Sequence, residues 1–214
     1  MFQAVYESPW HIPITAWIGC AVAVALAITR RRLVAFTVFF AVVCSLDAWL
    51  TGPLTPLAQD SAAMTAAGVT FVIAGDFRWF ALLERAARKR WSIGGFALAL
   101  VLAFIVPIAV QIARAAGLSE MRKIFLVYEL CFFVLATIVW FFVLPKRFPS
   151  PSPWATFARR LTLFEIAQYG MWAAVDILLL TTKADVGFLF RIVPNVAYYA
   201  LFLIVVGLWV PEPE

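Results

Sequence analysis

The chain contains a single histidine, His11 in the stretch SPWHIP, and only three cysteines, Cys20, Cys44 and Cys131. A zinc hydrolase that grips its metal with several histidines therefore has no ligand set here, and His11 is expected at an interface. The cysteines are odd in number and fall inside apolar stretches, so they read as small packing residues and not as a disulfide framework. Charge is also scarce: 14% of residues are charged, against about a quarter in a soluble domain. The GxSxG, Walker, CxxC and haem-attachment spacings are all missing. The opening MFQAVYESPW has no basic segment and carries Glu7, which argues against a signal peptide. No metal and no cofactor is expected.

What is abundant is apolar. Hydrophobic residues make up 64% of the 214, and the mean hydropathy is +0.95. Seven stretches, about 13–28, 33–51, 62–83, 94–113, 121–144, 160–181 and 185–210, approach the roughly 20 residues that a helix needs to cross about 30 Å of hydrocarbon. The expectation is an all-α integral membrane protein of seven transmembrane helices, forming a single membrane domain over residues 1–214. The longest connection, from Pro145 to Arg159, is rich in Pro and Ser and too small to fold alone. The lipid bilayer is then the main partner, and a bacterial-type inner (plasma) membrane the expected location. The last stretch has no lysine, so the retinal Schiff base of heptahelical rhodopsins has no place to form.

Basic residues fix the expected orientation. Arg30, Arg31, Arg32, Arg85, Arg88, Lys89, Arg90, Lys146, Arg147, Arg159 and Arg160 fall on one side, and only Arg114, Arg122, Lys123 and Lys183 on the other. This asymmetry predicts the N-terminus outside and the C-terminus inside. The formal charge of +5 then reads as a topology signal, and no nucleic-acid partner is expected.

Two pairs of segments echo each other. GDFRWFAL (75–82) lies over PNVAYYAL (194–201), which sets Asp76 against Asn195, and FAVVCSLD (40–47) over YGMWAAVD (169–176) sets Asp47 against Asp176. The match suggests a parallel three-plus-one-plus-three repeat with the fourth span as linker. Such an arrangement resembles the sugar-carrying SWEET family, in which each of two equivalent helices holds an Asn; here Asn195 matches one and Asp76 stands at the other.

Helical spacing aligns the polar residues. Glu165, Gln168, Tyr169, Trp172 and Asp176 share one face of the sixth span, and Arg191, Asn195 and Tyr198 or Tyr199 one face of the seventh. The second span offers Thr37, Phe40, Cys44, Asp47 and Thr51, the third offers Asp76 and Trp79, and the fifth adds Tyr128 and Glu129. A charge at the bilayer centre costs at least about 2.5–3.5 kcal/mol, so these faces should point into the bundle. Counting about 1.5 Å per residue places Asp47, Asp176, Glu129 and Arg191 near the outer boundary, Asp76 and Asn195 near the middle, and Glu165 and Arg78 towards the inside. Asp76 and Arg78, about 200° apart around one helix, need separate partners. Arg78 is expected to snorkel to the inner interface. Asp76, too short to snorkel, is expected to be protonated, paired with a cation, or bonded to Asn195 and the tyrosines. Arg191 is expected to pair with Asp176 or Asp47, Glu84 with Arg88 as a surface pair, and Gly19, Ala23 and Ala27 to form a small-residue packing stripe.

Gly75-Asp76, Asp176 and Tyr198-Tyr199, in that order, resemble a pattern of the lysoplasmalogenase family of small polytopic lipid hydrolases; residues 94–113, after the Gly-Asp, contain no histidine. That resemblance implies lipid hydrolysis with Asp76 and Asp176 as catalytic carboxylates. The residues themselves point first to a carrier of a small polar or cationic solute, or of protons. In it Asp76 is the central group, Asn195, Tyr198 and Trp172 shape the pocket, Asp47, Asp176, Glu129 and Arg191 form the outer mouth, and Glu165 is an inner station. A non-catalytic subunit of a membrane complex is the remaining alternative. No oligomeric state follows from the sequence.

Overall fold

Proline and small polar caps divide the chain into its helices. The computed structural model describes residues 1–59 and 61–211, and among them every regular element is helical. In chain order these are α1 (Phe2–Tyr6), α2 (Thr15–Arg30), α3 (Val34–Leu50), α4 (Ala62–Arg88), α5 (Ile93–Ala103), α6 (Ile105–Ala115), α7 (Met121–Ile138), α8 (Leu144–Arg147), α9 (Pro153–Thr182), α10 (Val186–Val196) and α11 (Phe202–Trp209). Wider, π-type turns over Val139–Val143 and Ala197–Leu201 join neighbouring helices into longer rods, whereas Trp10–Ile14 is kinked at Ile12, whose φ of −138° and ψ of 128° are extended.

Local chemistry explains the boundaries. Ser92 caps α5 by accepting the Gly95 N–H at 3.1 Å, and Ser152 caps α9 by accepting the Ala155 N–H at 3.0 Å, with Pro153 in the first helical position. Arg31 turns left-handed at φ 53° and ends α2, its N–H and that of Arg32 closing back onto the Ile28 and Ala27 carbonyls. Pro107 has no N–H to offer the Ala103 carbonyl, and the rod of α5 and α6 breaks at Phe104. Pro145 and Pro194 likewise sit beside π turns, where a widened ladder absorbs the missing donor.

Among the described residues, six rods are long and apolar enough to cross a membrane: Trp10–Arg30, Ala62–Arg88, Ile93–Ala115, Met121–Arg147, Pro153–Thr182 and Val186–Trp209. The expected second span, Val34–Leu50, is apolar but has 17 residues, about 25 Å at 1.5 Å per residue. Burial is inverted relative to a water-soluble protein. Phe141 and Phe142 are 63% and 64% exposed, while Thr37, Asp76, Arg78, Thr162, Glu165, Gln168 and Asp176 are buried. Such a surface suits lipid, and the polar groups have gone inside because hydrocarbon offers them no hydrogen bonds.

The chain divides into two compact units, one of residues 1–72 and 181–214 and one of residues 73–180. In the first, α2 packs on α3, on α11 and on the turn Ala197–Leu201, and α1 packs on α10. Gly19, Ala23 and Ala27 are buried along α2, as the small-residue stripe predicts, and Gly19 lies directly against Ala200. In the second, α6 packs on α7, and Phe132 of α7 stacks on Tyr169 of α9 at 4.1 Å and meets Trp79 of α4 at 5.3 Å. The first unit thus combines α2 and α3 with α10 and α11, and α4 is divided between the two units.

Candidate functional site

In the second unit the Asp76 carboxylate lies among aromatic rings. Its Oδ1 accepts the hydroxyls of Tyr128 from α7 and Tyr169 from α9, the latter at 3.4 Å, and the two hydroxyls lie 3.3 Å apart. Tyr169 also contacts Trp172, one turn further along α9, with ring centroids 5.2 Å apart. Asp76, Trp79, Tyr169 and Gln168 are all buried. Among the described residues, Asp76 Oδ2, Trp79 Nε1 and both polar atoms of the Gln168 amide have no hydrogen-bond partner. A buried polar group left so costs about 1–3 kcal/mol, and a polar guest that reached Asp76 Oδ2 would be stabilised there.

The charged neighbours of Asp76 are Glu165 and Arg78, and Arg78 also acts on Glu165. Arg78 is therefore not the snorkelling residue the sequence suggests: it is 1% exposed and lies beside two buried carboxylates. Two acids against one guanidinium leave the site one negative charge in excess when all are ionised. Asp176, two turns from Tyr169 along α9, is ion-paired to Arg122 at 3.0 Å. Glu129 is buried on α7, beside Tyr128 in sequence.

Four other expected site residues, Asp47, Arg191, Asn195 and Tyr198, lie in the first unit. Arg191 donates Nε to the Tyr6 hydroxyl at 3.1 Å, and the Asn195 amide lies 3.4 Å from both that hydroxyl and His11 Nε2. His11, expected at an interface, is buried, with its Nδ1 2.7 Å from the Tyr6 carbonyl. Tyr198 donates to the Phe71 carbonyl at 3.4 Å. Asp47 accepts the Thr51 hydroxyl at 3.0 Å, with Tyr199 close to both. The tyrosines on Asp76 are thus Tyr128 and Tyr169, where the sequence pointed to Tyr198 and Asn195. Tyr128 and Tyr169 are visible in the sequence as members of polar faces, but only the packing of α7 and α9 against α4 joins them to Asp76. Among the described residues, no three His, Cys, Asp or Glu side chains gather as a metal-binding set.

Comparison with family models, with curated proteins and with solved structures finds no match for this chain. Fold and site define a class: an all-helical membrane protein whose apolar bundle encloses buried acidic and aromatic residues.

Proposed function

We propose that the chain is a seven-helix membrane carrier, with its N-terminus outside and its C-terminus inside, that binds a small polar or cationic solute or protons at Asp76. The observation that carries this reading is the buried polar line on α9. Thr162, Glu165, Gln168, Tyr169 and Asp176 are all buried and fall on one side of the helix. From Thr162 to Asp176 the line rises about 21 Å, most of a hydrocarbon layer. Transport needs polar groups at successive depths, and this line supplies them, with Asp76 meeting it at Tyr169. The excess of carboxylates over cations favours a positive guest over an anion.

In the hydrolase alternative, Asp76 and Asp176 form an acid/base pair, which needs the two carboxylates within about one water of each other. Asp176 lies about 10 Å along α9 from the tyrosine that holds Asp76 and is engaged by Arg122, so the reading is disfavoured. In the subunit alternative the interior charges only fix helix contacts. Asp76 Oδ2 and the Gln168 amide, without partners, speak against that.

Reconstitution tests the proposal: purified protein in liposomes is assayed for flux of protons and of a panel of small cations and neutral polar solutes, against empty liposomes. A carrier gives saturable flux of at least one of them. Hydrolysis of lysolipid without flux supports the enzyme instead.

A further inference from the structure

The first unit carries an apolar feature far in sequence from the Asp76 site. Between α2 and α3 runs an open groove of about 620 Å³. Trp17, Ala21, Ala25 and Ile28 of α2 and Val38 and Val42 of α3 line it, and all six are exposed. No charged side chain is among its lining residues. One end is bridged, because the Trp17 indole N–H donates across it to the Ser45 carbonyl at 3.2 Å. The other end is the turn that joins the two helices, where Arg31 and Leu33 both adopt positive φ.

Length and charge indicate what such a groove would hold. The helical rise from Trp17 to Ile28 is about 16 Å, close to the half of a roughly 30 Å hydrocarbon layer that one leaflet fills. Arg30, Arg31 and Arg32 follow directly at the turn, and Arg30 and Arg31 are exposed. Residues 8–46, which include α2 and the groove-lining part of α3, contain no aspartate or glutamate. An apolar trough as deep as one leaflet, with cations at its head-group end, is complementary to an anionic lipid. A second copy of this chain is a poorer fit. Packed here about a two-fold axis along the membrane normal, it would bring its own Arg30, Arg31 and Arg32 to the same level, where like charges repel.

We propose that the groove between α2 and α3 binds one acyl chain of an anionic phospholipid, whose head group is held at the turn by Arg30, Arg31 and Arg32. The groove supplies the apolar contact, and the arginines supply the choice of head group. The site does not rest on the carrier reading, because its residues belong to the first unit and Asp76 belongs to the second.

The test is titration of the full chain in neutral detergent with phosphatidylglycerol and phosphatidylcholine of matched acyl chains, read by native mass spectrometry. The expected result is saturable binding of a first phosphatidylglycerol, with phosphatidylcholine at least about fivefold weaker, the effect of one basic residue at the membrane surface. Ala25→Leu sets a larger side chain into the groove at an exposed position, and should weaken both lipids severalfold while keeping their ratio. Ala21→Leu, also exposed, serves if Ala25→Leu does not fold. Arg31→Gln should weaken phosphatidylglycerol about fivefold and phosphatidylcholine little, so that the preference collapses. Arg160→Gln removes an exposed arginine of the second unit and should leave the first binding event unchanged. Equal affinity for the two lipids, full affinity in the folded leucine variants, or equal losses for Arg31→Gln and Arg160→Gln would each overturn the proposal. So would a dimer that Ala25→Leu dissociates, which would give the groove to a second copy.

Discussion

Replacing Gly19 by alanine sets two known effects against each other. In a helix interior the change favours folding by about 1 kcal/mol, because glycine loses more backbone freedom. At Gly19, however, the new methyl would arrive 2.6 Å from Ala200 Cα and closer still to Ala200 Cβ, in the turn Ala197–Leu201. Carbon atoms in contact sit about 3.5–4 Å apart, so α2 and that turn must separate by about an ångström. Forcing atoms into a filled core costs about 1–3 kcal/mol, and no flexible side chain is available to yield here, only backbone and a methyl. The net expectation for Gly19→Ala is destabilisation by up to about 2 kcal/mol. Gly68 on α4 provides the control, since a Cβ there meets nothing within 4 Å, and Gly68→Ala should be neutral or stabilising by up to about 1 kcal/mol. Unfolding of both variants in detergent, followed by circular dichroism, should displace the midpoints in opposite directions. A Gly19→Ala protein as stable as Gly68→Ala would refute the close approach of α2 to the turn that carries Tyr198 and Tyr199.

Three further outcomes follow from the ion and hydrogen-bond partners. Tyr128→Phe keeps the ring against Phe132 but removes a donor to Asp76, and should cost about 1.5–3 kcal/mol where Asp76 is ionised; in an Asp76→Asn background that cost should shrink, and purely additive effects would break the assigned contact. Arg122→Gln removes the ion pair to Asp176 and should cost about 1–3 kcal/mol, below the 3–5 of a fully buried pair because the Arg122 side chain is 31% exposed; no loss would show that the pair is ornamental. Asp185 lies outside the spans, and the Met1 amino group, then the Phe2 and Gln3 N–H groups, hold its carboxyl down at about 2 from the ordinary 3.8. Because the folded value is depressed, its contribution is complete above about pH 4 and fades as the pH falls towards 2. The Phe2 and Gln3 amide resonances should shift in that window, and Asp185→Asn should remove the titration.

Direction is legible in the sequence where a single helix decides it. The spacing of Glu165, Gln168, Tyr169 and Asp176 already places these residues on one face of α9, and the whole face is buried. Partners were not legible, because they depend on which helices are neighbours. Asp76 was expected to meet Asn195 and Tyr198, yet its hydroxyl donors come from α7 and α9, information that no spacing within α4 contains. Arg191 illustrates the same limit: its Nε donates to Tyr6, on a short N-terminal helix that hydropathy alone does not mark. Glu84 reads as a surface acid because Arg88 one turn away satisfies it, yet it is buried and Arg147 reaches it from a distant part of the chain. The long connection from Pro145 to Arg159, rich in proline, therefore does more than link two spans. The rod breaks follow from proline chemistry, and Pro107 made the one in the fourth span readable in principle.

The central claim is that Asp76 lies on a route used by a moving cation. The most direct test compares proton and small-cation flux in proteoliposomes for the native chain, Asp76→Asn and Asp47→Asn, each at matched incorporation and with folding verified. The account predicts that Asp76→Asn abolishes flux while Asp47→Asn, whose carboxylate is held by Thr51 in the other unit, retains most of it. Flux that survives intact in a folded Asp76→Asn protein would contradict the account.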